Sequence, residues 1–250
     1  MSGHSKWANI KHRKAKTDAQ KAKVFTKLGR ELSVAAKEGG GDPDGNIRLR
    51  MAIQHAREAN MPGDNIQRAI QRGLGASGGA SYESITYEGY APGGVAVMLD
   101  LLTDNRNRTA AEMRHLFSRH GGSLGETGCV AWMFDRKGLI IIDNAGGRHS
   151  EDDLLLLAAE AGAEDVNVDD RTIEIQTSPE DVMQVRETLA AKGMEITSAQ
   201  VAMIPKNTVG ISGKTAEQVL RMVEAFEEHD DVQEVYANFD IDEAELEALA

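Results

Sequence analysis

Residues 139–204 carry a succession of hydrophobic periods that few architectures can satisfy. Leu139–Ile142 is an apolar run of strand length, and Glu151–Ala161 has the length and composition of a helix. Val166-Asn167-Val168 and Thr172–Thr177 flank Asp169-Asp170, the composition of a hairpin turn. Ser178-Pro179-Glu180-Asp181 then caps a helix carrying Val182, Val185 and Leu189, and Ala199–Ile204 closes the unit as a strand. The order is βαββαβ, that of a ferredoxin-like domain.

The flanking segments extend this to a class of fold. Residues 17–73 read as three helices. Thr17 and Gln20 have capping-box spacing, with Phe25, Leu28, Leu32 and Ala35 at helical intervals behind them. Asp42-Pro43 predicts the start of a second helix, which stacks Ile47, Met51 and His55; Asp64 predicts the cap of a third, through Ile66, Ala69 and Ile70. Gly73–Ala80 is a glycine-rich linker. Beyond it, 85–88, 95–102 and 130–134 read as strands and 105–119 as a helix with Ala110, Met113, Leu116 and Phe117 inward. The helix at 216–228 and the strand at 232–239 cannot make a domain alone and complete the sheet of 81–134. The expected class is α+β: an N-terminal three-helix domain followed by two α/β domains, the ferredoxin-like one inserted into the other. The expected boundaries are 1–80 (basic arm, helices and linker), 81–135 with 206–240, 136–205, and an acidic tail or final helix at 241–250.

Charge is divided as sharply as the periods. Residues 1–80 carry a net +8 and residues 81–250 a net −20. Within the first part, residues 31–80 balance to zero, so the excess belongs to residues 1–30: Lys6, Lys11, Arg13, Lys14, Lys16, Lys21, Lys23, Lys27 and Arg30 against Asp18 alone. A cationic arm on an acidic body points to a polyanion, and nucleic acid is the first candidate. Trp7 and His12 lie among these cations, where a ring can stack on an unpaired base, or Trp7 can anchor the arm to the helical domain. A second anion site is expected at Arg106 and Arg108, where strand hands over to helix within Asp104-Asn105-Arg106-Asn107-Arg108-Thr109; the competing reading is a capped helix whose arginines pair with Glu112 or nearby acids.

Other motifs fail on context. Gly73–Gly78 fits G-x-G-x-x-G but follows a helix, and Gly213-Lys214-Thr215 lacks the first glycine of a phosphate loop, which leaves a helix start. The helix pair around Asn60-Met61-Pro62-Gly63 resembles a helix-turn-helix, but its second helix offers only Gln67, Arg68, Gln71 and Arg72 in a segment of zero net charge. The histidines lack metal-ligand spacing, and Cys129 reads as a small buried residue. No catalytic residue, metal, cofactor or small-molecule substrate is expected. One cysteine, no apolar run of membrane-span length and no secretory signal favour a cytoplasmic protein with no membrane partner.

Four separated motifs carry a resemblance: Gly3-His4-Ser5-Lys6-Trp7-Ala8-Asn9 with His12-Arg13-Lys14; Gly39-Gly40-Gly41-Asp42-Pro43; Tyr87-Glu88-Gly89-Tyr90-Ala91-Pro92-Gly93-Gly94; and Asp104–Thr109. Together they resemble the YebC/PmpR family, which includes the mitochondrial translational activator of cytochrome c oxidase subunit one. The resemblance implies three domains and no enzyme activity. It also implies one of two functions: DNA-binding transcriptional regulation, or association with the ribosome through ribosomal RNA or tRNA to relieve stalling at proline-rich sequences. A third class, a protein–protein adaptor working through its acidic face, is the further alternative.

Overall fold

The computed structural model describes residue 7 and residues 18–75, 82–143, 151–168 and 172–249. Its first unit is three helices, α1 (Asp18–Gly39), α2 (Ile47–Glu58) and α3 (Gly63–Gly73). Each gives one short-sided face to a shared core: Leu32, Ala35 and Ala36 from α1, Leu49, Ala52 and Ala56 from α2, Ile66, Ala69 and Ile70 from α3. Small residues let the backbones come close. A Cβ on Gly73 would land on the Ser33 backbone carbonyl, and the Ser33 hydroxyl lies 2.8 Å from the Ala69 carbonyl it can donate to.

Three local expectations are corrected here. α2 starts at Ile47, after Asn46 rather than at Asp42-Pro43: Asn46 Oδ1 accepts from the Leu49 N–H (3.0 Å) while its side-chain Nδ2 donates to the Ala35 and Gly40 carbonyls. Asp42 instead turns the chain locally by accepting from the Asp44 N–H. Asp64 lies inside α3, whose cap position is Pro62. The Ile47, Met51 and His55 face points away from the helical core; Ile47 is exposed, and His55 reaches the Ala199 carbonyl of the ferredoxin-like unit at 3.0 Å. The Thr17 capping box and the Asp169-Asp170 turn lie outside the described residues.

The central sheet has the order β3-β1-β2-β9, all antiparallel, from β1 (Glu83–Tyr90), β2 (Ala96–Thr103), β3 (Ser123–Leu124) and β9 (Val232–Ala237). Strand β2 is apolar at nearly every position because both of its faces are covered. Val97, Leu99 and Leu101 face α4 (Arg106–Arg119) and α7 (Gly213–Glu227), where Phe117 and Phe226 meet with ring centroids 4.7 Å apart. Ala96 and Met98 face the second sheet through Phe134, Leu139, Ile141 and Ala202. The short α8 (Glu243–Leu249) docks the fully buried Leu246 on the same core as α4 and α7, so the last segment is a packed helix.

The second sheet, β5-β6-β4-β7, is built from β4 (Phe134–Asp143), β5 (Asp165–Val168), β6 (Thr172–Thr177) and β7 (Ile196–Pro205). With α5 (Glu151–Ala161) and α6 (Val182–Ala191) on one face it is the βαββαβ unit, its core formed by Ile140, Ile142, Ile173 and Ile175 against Leu154, Val185 and Leu189. After β7 the chain returns through β8 (Val209–Gly210), which pairs with β10 (Phe239–Asp240), then α7 and β9 to the first sheet. The fold is therefore α+β with one α/β domain inserted in the other. We propose the boundaries 81–135 with 206–240, and 136–205, because β9 pairs with β2 while β4 to β7 pair only among themselves. The expected strand at 130–134 is a tight turn, Ala131–Met133, and β4 begins only at Phe134. The cause is Glu88. Its buried carboxylate takes the Gly128, Val130 and Ala131 N–H groups (2.7–2.8 Å) that a strand would offer to a neighbour. Among the described residues no helix is long and apolar enough to cross a membrane.

Candidate nucleic-acid interface

The arm's cations divide into two sets. Lys6, Lys11, His12, Arg13, Lys14 and Lys16 lie outside the described residues. Lys21 and Lys23 lie early on α1, with Lys23 half-buried. Further along α1 the cations turn inward. Lys27 donates to the Glu227 carbonyl (2.8 Å), and burial, partly offset by Glu234 and Glu227, lowers its pKa. Arg30 donates to the Asp230 carbonyl (2.6 Å) and to Asp231 Oδ1 (2.7 Å), and lies 5.2 Å over the Tyr82 ring. These two cations fasten α1 to the turn between α7 and β9, so their charge is engaged within the chain.

Trp7 is also placed inside the protein. It is 3% exposed and belongs to the central-domain core with Leu99, Phe117 and Phe226, so its ring is an anchor rather than a stacking platform. Its indole N–H has no acceptor among the described residues. The anchoring is to the central domain, not to the three helices.

The expected second anion site is occupied from within. Asn105 caps α4 by accepting from the Arg108 N–H (3.1 Å), which uses the N-terminal donor an anion would want. The Arg108 guanidinium contacts Asp231 Oδ2 (2.7 Å), Asp104 (3.1 Å) and Glu112 (3.7 Å). Arg106 stays exposed at the first helical position. Asp231 is thus a hub. One oxygen takes Arg30; the other takes Arg108 and the Thr109 hydroxyl (2.8 Å). A single orientation of hydroxyls satisfies the site: the Asn105 N–H donates to Thr103, Thr103 to Thr109, and Thr109 to Asp231. Burial alone would raise the Asp231 pKa, but Arg108, Thr109 and Arg30 outweigh it and hold the carboxylate below its usual value.

Next to this hub, Glu112, His229 and Asp231 bring ligand-type atoms within 4.8 Å of one another. The donor set suits a metal poorly. His229 Nδ1 already accepts the Asp231 N–H (3.2 Å), so Nε2 carries the proton and donates to Glu112 (3.0 Å), and two guanidinium groups already neutralise Asp231. Cys129 is half-buried, with its thiol pushed up by burial and by Glu88, the opposite of an activated nucleophile. Gly213 starts α7, and its N–H donates to Glu245 (2.5 Å), a carboxylate of this chain standing where a phosphate loop would hold phosphate.

Cavities also lie between the described elements. One, of about 300 Å³, lies between α1 and α3 beside Tyr82. Another, about 780 Å³, is a cleft where α1 and α2 face the central sheet and β7. Asp100 and Glu234 face it with raised pKa values; Glu234 is pushed up to about 7, first by the surrounding protein and then by Asp100, Glu227 and Glu31, with Lys27 opposing. Sequence patterns missed Asp231, the Glu88 tie and these two cavities. Only Glu88 left a signal, a carboxylate between Tyr87 and Tyr90 in a strand.

Comparisons with known proteins agree along the chain. A model described as the TACO1/YebC protein N-terminal domain matches residues 5–76, and one described as the TACO1/YebC second and third domain matches residues 82–239. A probable transcriptional regulatory protein of Pelotomaculum thermopropionicum is 59% identical, covering 97% of this chain and 100% of its own. Another, of Dictyoglomus turgidum, is 57% identical over the whole of both chains. A crystal structure of a conserved hypothetical protein of Aquifex aeolicus superposes with a TM-score of 0.82 at 49% identity, covering 91% of this chain and 93% of that one.

Proposed function

The chain belongs to the TACO1/YebC family, and we propose that it regulates gene expression by binding nucleic acid through its N-terminal arm, with no catalytic step of its own. The observation that carries this reading is the charge split, +8 in residues 1–80 against −20 in the rest. Phosphates are attracted to one end and repelled by the other, which confines contact to the N-terminal part of the chain, with the arm as its main source of charge. The relatives' shared name, transcriptional regulatory protein, favours DNA as the polyanion.

A second reading is RNA, including ribosomal RNA or tRNA. It is favoured by the zero net charge of residues 31–80: a helical domain without basic excess is a weak clamp for a duplex, while a narrow arm can enter an RNA crevice.

The test uses Lys11, Arg13, Lys14 and Lys16, each changed to Gln. Deleting residues 2–16 outright would remove the core anchor Trp7 and confound binding with folding. Loss of four phosphate contacts flattens the dependence of log K on log salt by about 3.6 on duplex DNA or about 2.8 on single strands. An unchanged slope on duplex DNA, structured RNA and ribosomes would refute the reading. Where the slope changes most identifies the polyanion.

A further inference from the structure

The cavity between α1 and α3 is lined by Phe25 and Gly29 of α1, by Arg68 and Arg72 of α3, and by Arg30 and Tyr82. Among the described residues no carboxylate lines it, in a chain whose net charge is −12. The three guanidinium groups are not equivalent. Arg30 is neutralised by Asp231. Among the described residues Arg68 bonds only neutral oxygens, the Asp64 backbone carbonyl (3.2 Å) and Asn65 Oδ1 (2.5 Å). Arg72 is exposed, with no hydrogen bond or ion pair among the described residues. Arg68 and Arg72 are four residues apart on one helix, an arrangement in which like charges repel. An anion placed between them reverses that repulsion.

The remaining lining says what the anion is attached to. Two aromatic rings, Phe25 and Tyr82, border the same cavity, and Arg30 beneath Tyr82 fixes that ring in place. The volume, about 300 Å³, is at the small end for ligand pockets and admits one planar unit rather than a stretch of strand. Gly29 keeps the α1 wall open: a Cβ there would meet no atom within 4 Å.

We propose that this pocket receives one unpaired nucleotide, its phosphate between Arg68 and Arg72 and its base against Tyr82 and Phe25. The inference rests on the nucleic-acid reading above and extends it. The arm would hold the polyanion by charge while the pocket, on the same helix α1, selects for a base that is free to leave its stack. Duplex, whose bases are stacked and paired, would use the arm alone.

The test measures fluorescence anisotropy of labelled octamers of single-stranded RNA and DNA, and of a blunt duplex, with the full chain. Two variants probe the pocket: Gly29→Leu, which fills it from a position with room for the side chain, and the double change Arg68→Gln with Arg72→Gln. Each is expected to weaken single-strand binding about tenfold and leave duplex binding unchanged. The double change also lowers the single-strand salt slope by about 0.7, the value for one phosphate. Comparing RNA with DNA octamers distinguishes the two sources of the nucleotide. If both variants bind single strands as the parent does, while the arm variant loses binding, the pocket is refuted and the arm reading stands. Equal competition by inorganic phosphate and by a mononucleotide refutes a role for the base. A parent chain that binds no nucleic acid overturns both readings.

Discussion

Removing the Asp231 carboxylate should loosen the join between the helical and central domains. In Asp231→Ala three hydrogen bonds vanish, two of them from guanidinium groups at 2.7 Å and one from the Thr109 hydroxyl at 2.8 Å. Bonds to a charged group are worth about 1.5–3 kcal/mol each. The Arg108 contribution is discounted, because that side chain is 43% exposed and two other acids remain beside it. Arg30, only 17% exposed, loses its one carboxylate and keeps a backbone carbonyl. The expected cost is about 3 kcal/mol, the lower end for breaking a buried pair from one side. Asp231→Asn keeps the shape and loses the charge, and should cost roughly half of that. Urea unfolding reads the global loss, and native-state hydrogen exchange should show α1 losing protection first. The pH dependence follows from a depressed carboxylate: its stabilisation is present above the unperturbed value of 3.8 and disappears as pH falls through the lower folded value. Wild type and Asp231→Asn should therefore differ at neutral pH and converge in acid. A loss below about 1 kcal/mol for Asp231→Ala, or a difference independent of pH, would refute the hub. So would an Arg30→Ala and Asp231→Ala cycle with no coupling.

Gly73→Ala should destabilise the helical domain by about 2 kcal/mol or more, because the new methyl collides with Ser33 backbone rather than with a movable side chain; a melting temperature equal to wild type counts against the close α1–α3 approach. Glu234→Gln should stabilise the protein at pH 8 and do nothing at pH 4.5. A carboxyl raised to about 7 lets the unfolded chain release its proton first, so wild-type stability falls between pH 4.5 and 7 while the variant's does not. Glu234 is open to water in the cleft, so the gain is small, and melts showing a loss at pH 8 would refute it.

Periodicity revealed most of the architecture because most of it is local. The βαββαβ order, the three helices and the placement of β9 all follow from apolar spacing and from the need of a lone strand to find a sheet. What the pattern misassigned are places where one distant side chain overrides local preference. Val130 and Ala131 have strand composition, but the Glu88 carboxylate claims their N–H groups. Asp42-Pro43 has the form of a helix start, but Asn46 has an acceptor on α1, the Ala35 carbonyl, and wins the cap. Ile47, Met51 and His55 repeat at helical spacing, yet they form the face toward the cleft and β7, because the smaller Leu49, Ala52, Ala56 face permits closer packing on α1.

The same override decides which cations can meet a phosphate. In a chain of net charge −12, counting arginines and lysines along the sequence overstates the free positive charge, because folding brings distant acids to them. Lys27, Arg30 and Arg108 looked like phosphate contacts, and each is held by groups 120 or more residues away. Arg68 and Arg72 lie in a segment of zero net charge, too weakly basic for a duplex reader, yet the fold leaves them facing a cavity that no acid among the described residues lines. The useful quantity is therefore the basic residue minus the acid the fold supplies. By that measure, among the described residues, the cations at the α1–α4 join are neutralised through Asp231 while Arg68 and Arg72 of the α3 pocket are not.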